Sequence, residues 1–79
     1  MTSEEITQNP ELADRFNVMT CALHNIAVEH EFQKQYTLAL QYYKKSRDFS
    51  VTTLGLNHPM TVKMDRVYFE AAAKIEKFL

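Results

Sequence analysis

One glycine and two prolines in 79 residues leave almost no turn chemistry. That scarcity excludes β-sandwiches and barrels, which need a turn about every dozen residues. The single cysteine, Cys21, cannot close an internal disulfide. Small secreted domains usually carry paired cysteines, so a reducing, cytoplasmic setting is the expectation. No apolar run approaches the roughly 18 residues of a membrane span. The opening Met1-Thr2-Ser3-Glu4-Glu5 is acidic and polar, unlike a signal or transit peptide. A basic excess is missing too: nine Lys and Arg stand against ten Asp and Glu, for a net charge of −1. Nucleic-acid binders normally show a basic stripe, so no nucleic-acid partner is expected.

What remains is 46% hydrophobic and 24% charged, ordinary for one small globular domain. The charges are segregated. Residues 1–31 carry six acids against Arg15, a net of −5, while residues 32–50 carry +3 and residues 51–79 carry +1. An acidic first segment followed by a basic second one suits two antiparallel helices or a bipolar surface.

Residues 1–9 read as a flexible lead-in to a single domain over residues 10–79. Asn9-Pro10-Glu11 is a helix start: Asn accepts from a free backbone N–H, Pro suits the first helical position, and Glu suits the positive dipole end. Leu12, Phe16, Met19, Leu23, Ile26 and His30 then recur at fours and threes. That spacing predicts a helix over 10–32 with this stripe, widened by Val18, Ala22 and Ala27, as its buried face. A second helix is predicted from Gln35 or Tyr36, with Tyr36, Ala39, Leu40, Tyr43, Ser46, Ser50, Val51 and Leu54 inward. It ends at Leu54-Gly55-Leu56, where the only glycine predicts a Schellman stop and Leu56 folding back on Val51. Lys44, Lys45 and Arg47 fall in its C-terminal half, which the dipole favours for cations. Asn57-His58-Pro59 opens a third helix with Met64, Val67 or Tyr68, Ala71, Ile75 and Phe78 inward. The fold class is all-α, with no strand.

Leu23, Ile26, Ala27, Tyr36, Ala39, Tyr43 and Ser46 have the spacing of the tetratricopeptide repeat, a helix–turn–helix unit. Leu54-Gly55-Leu56-Asn57-His58-Pro59-Met60-Thr61 resembles the Leu-Gly-x-x-His-Pro-x-Thr junction of the long-period repeats of kinesin light chains, and Leu23-His24-Asn25-Ile26-Ala27 resembles their Leu-Asn-Asn-Leu-Ala segment. The likeness spans Leu23 to Thr61. His30 departs from the family's usual Tyr and Leu23 from its frequent Trp. Asp65 stands where the next repeat's Leu belongs, so residues 59–78 read as a closing helix. The resemblance implies a tetratricopeptide-like hairpin with a third packing helix, a fragment of a right-handed α-solenoid. It also implies a peptide groove on the first helix, with His24, Asn25, Val28 and Phe32 facing a ligand. Leu54, Gly55, His58 and Pro59 become junction residues, His58 as a helix-entry residue.

Cys21 and His24 lie one turn apart, where a metal or thiol site would begin. No second Cys/His pair completes it, and no nucleophile–base–orienter set is present, so no metal, cofactor or catalysis is expected. Cys21 reads instead as a helix-packing thiol beside two partly exposed histidines. Of the Tyr42-Tyr43 pair, Tyr43 reads as buried and Tyr42 as rim; Met19 and Met64 read as core. The function expected is a non-enzymatic interaction or scaffold module binding a peptide or a neighbouring subunit. The alternatives are a structural subunit or fragment of a larger, cytoskeletal or microtubule-associated assembly, and a small metal or thiol protein around Cys21 and His24. One and a half repeats is few, since about three are normally needed. Self-association or membership of a larger complex follows as an expectation, with a cytoplasmic, cytoskeleton-linked location.

Overall fold

The computed structural model describes residues 9–79; the lead-in expected over residues 1–9 lies outside them but for Asn9. Three helices follow one another, α1 (Pro10–Phe32), α2 (Tyr36–Leu54) and α3 (Pro59–Ile75), and a 3-10 turn (Glu76–Phe78) closes the chain. No strand occurs among the described residues, so the fold is all-α. Asn9 caps α1 by accepting from the Leu12 backbone N–H at 3.2 Å, with Pro10 at the first turn. His58 caps α3 in the same way: its Nδ1 accepts from the Met60 N–H at 3.1 Å.

The Schellman stop sits elsewhere than at Gly55. At the end of α1, the Gln35 N–H donates to the His30 carbonyl at 2.8 Å and the Lys34 N–H to the Glu31 carbonyl at 3.0 Å. These two bonds define the motif, and Lys34 holds the left-handed position with φ 61°. Gly55 does adopt positive φ, 90°, but its ψ of 163° is extended. The α2 carbonyls of Ser50 and Val51 both accept from the Gly55 N–H, and the chain then turns away. Leu56 stays exposed, sharing only a shallow hollow with Val51, Thr61, Val62 and Asp65. A left-handed non-glycine residue costs about 1–2 kcal/mol. Lys34→Gly is therefore expected to stabilise the protein by about 0.5–1 kcal/mol, after the glycine's extra freedom in the unfolded chain is deducted. Urea unfolding checks this; a loss of stability would contradict the backbone assignment.

α1 and α2 run antiparallel. Phe16 meets Phe49 edge-on at 5.7 Å, and His30 stacks on Tyr42 at 5.4 Å near the turn. α3 returns parallel to α1, packing on α2 and meeting α1 along one edge. Its contacts fix this direction, since Ser46 lies between Thr20 and Met64 while Glu31 meets Lys74.

The core is built from small side chains. Ala27, Ala39 and Ala71 surround Tyr43 and Ile75, with Leu54 and Met64 also buried. Four hydroxyl residues, Thr20, Ser46, Ser50 and Thr61, are buried as well. Each hydroxyl donates to a backbone carbonyl, which removes the cost of burying it. Two of these bonds join helices: Ser46 Oγ to the Thr20 carbonyl at 3.0 Å and Thr61 Oγ1 to the Ser50 carbonyl at 3.1 Å.

This construction shifts α1 out of its expected orientation. Thr20 is 0% exposed while its neighbour Met19 is 51% exposed, and Ala27 is buried while Ile26 is not. One residue is about 100° around a helix. The stripe through Leu12, Met19 and Ile26 therefore flanks the core, and the line through Thr20 and Ala27 enters it. Met19 as a core residue is corrected accordingly; Met64 is buried as expected. Cys21 is also exposed, so it is not a packing thiol. Tyr43 is buried and Tyr42 half-buried, as expected. Phe78 leaves the α3 core face and stacks its ring on Tyr36 at 4.8 Å. Lys44, Lys45 and Arg47 sit mid-helix, none in the last turn of α2, so the dipole does not explain them. Arg47 instead pairs with Asp48 at 2.8 Å and lies 4.8 Å over the Tyr68 ring.

Candidate functional site

The four residues expected to face a ligand divide into two pairs. His24 and Val28 lie toward the helix junction: Val28 packs against the buried core cluster, and His24 meets the Tyr43 ring edge-on at 5.7 Å. Asn25 and Phe32, seven residues apart on α1, point outward, and Phe32 is 84% exposed. The second pair is exposed and the first half-buried. The helical spacing explains the split, because Asn25 and Phe32 sit further around α1 from Ala27 than His24 and Val28 do.

α3 packs beside His24 and Glu31 at this junction. Lys63 is near enough to His24 to bear on its charge, and Lys74 Nζ donates to Glu31 Oε2 at 2.9 Å. Glu31 also accepts from the Tyr43 hydroxyl through Oε1 at 2.8 Å. One carboxylate on α1 thus holds a side chain from each of the other two helices. The Lys74 ammonium keeps the Glu31 carboxyl below the usual carboxylate range, against burial and with help from Tyr43. Burial first, and then the bond to Glu31, push the Tyr43 phenol far upward, so its proton stays in place. The sequence reading did not single out Glu31. A lone acid at a helix end carries no spacing signal, and its partners lie 12 and 43 residues away.

His24 is the group at this junction whose charge state the fold controls. Its Nδ1 is buried without a hydrogen-bond partner among the described residues. Burial lowers its pKa from the ordinary 6.5, and the Lys63 ammonium lowers it further. A histidine held below its unfolded value contributes fully above that value and loses stability as pH falls through it. Between about pH 7.5 and pH 5.5 the protein is expected to lose more stability than its His24→Gln variant does. Thermal melts of the two proteins at both pH values check this; parallel losses would show that His24 plays no part.

Cys21 is exposed and His24 half-buried on α1. No group of three or more His, Cys, Asp or Glu side chains is placed to hold a metal ion among the described residues. No helix among them is long and apolar enough to cross a membrane. The repeat positions Ala27, Ala39, Tyr43, Ser46 and Leu54 are all buried, while Leu23 and Tyr36 are half-buried and Ile26 is exposed. No family model, curated protein or solved structure matches the chain.

Proposed function

We propose that this chain is a non-enzymatic protein–protein interaction or scaffold module of tetratricopeptide-like build, acting in the cytoplasm. One observation carries the reading. Ten large apolar side chains are exposed among the described residues, while the buried core holds seven hydrophobic residues, three of them alanine. Single exposed apolar residues are normal, but an excess of large ones outside over inside is the mark of a surface that a partner covers. The exposed Asn25–Phe32 face of α1 suits an extended peptide: an amide able to donate and accept lies seven residues from an exposed ring.

A second reading is favoured by Val62 and Phe69, exposed on α3. Here the chain is a structural subunit of a larger assembly, cytoskeletal by its kinesin-light-chain-like junction, and uses its outer faces. Affinity capture with the intact chain, run beside Asn25→Ala and Phe69→Ala, separates the two. Both positions are exposed, so neither variant is expected to change stability by more than about 0.5 kcal/mol. Partners lost only with Asn25→Ala support the Asn25–Phe32 face of α1; partners lost only with Phe69→Ala support the outer face of α3. Absence of any specific partner would remove the interaction reading.

A further inference from the structure

We draw no further inference here: the strongest candidate, the exposed apolar face that Met19 and Ile26 of α1 share with Leu38 of α2, carries none because nothing in the structure shows what covers it.

Discussion

Ile75→Ala is expected to remove about 2–5 kcal/mol of stability. Ile75 is the largest fully buried side chain and belongs to the cluster that joins α3 to Ala27, Ala39 and Tyr43. Three of its four buried neighbours there are alanine, and larger half-buried side chains such as Val67 and Tyr68 pack around them. Where the loss falls within that range is set by how far those larger side chains relax into the space left behind. A 79-residue domain commands only about 4–12 kcal/mol in total. The variant is accordingly expected to melt about 10–30 °C lower, with a large unfolded fraction at physiological temperature. Urea unfolding monitored by circular dichroism measures this. A loss below about 1 kcal/mol would mean that α3 contributes little to the fold.

Ala39→Leu tests the opposite fault, overpacking. Ala39 and Ala27 are both fully buried where α1 and α2 lie against each other. A methyl group at each position sets how closely the backbones approach, and three added carbons have no free volume to enter. The expected cost is about 1–3 kcal/mol, or more if the hairpin must separate. Leu38→Ala, one residue away on an exposed face, is the control and is expected to cost no more than about 0.5 kcal/mol. Equal effects at the two positions would contradict the α2 orientation.

Helix boundaries were legible because they rest on local chemistry. Asn9-Pro10 and His58-Pro59 carry their own capping side chains, so α1 and α3 begin where those residues stand. The end of α1 was located by loss of the apolar period, but its mechanism was hidden. Lys34 has no intrinsic claim on a left-handed conformation, and the turn imposes it through two backbone bonds. Gly55 advertised positive φ, which it has, and the rest of the motif did not follow.

The orientation of α1 was illegible for a different reason. Hydrophobic periodicity finds large apolar residues, and here the buried line consists of Thr20 and Ala27, which carry little hydrophobic signal. Thr20 is suited to that line because its hydroxyl bonds to the Phe16 carbonyl within the same helix at 2.9 Å. Its own carbonyl is then free to accept from Ser46 of α2. The same displacement divided the candidate site. Rotating α1 drew His24 and Val28 into the helix junction and left Asn25 and Phe32 outside. Glu31 became the residue joining all three helices, on partners that no local pattern announces.

The proposed interaction role rests on an outward apolar stripe on α1, and two adjacent residues test that orientation most directly. Thermal unfolding of Met19→Lys and Thr20→Lys should be compared at low protein concentration. Met19 is half exposed, and a lysine there can keep its ammonium in water, so its melting temperature is expected to stay within about 5 °C of wild type. Thr20 is fully buried against Ser46, and a lysine there is expected to unfold the domain. The reverse order, with Met19→Lys unfolded and Thr20→Lys intact, would place the apolar stripe in the core and contradict the account.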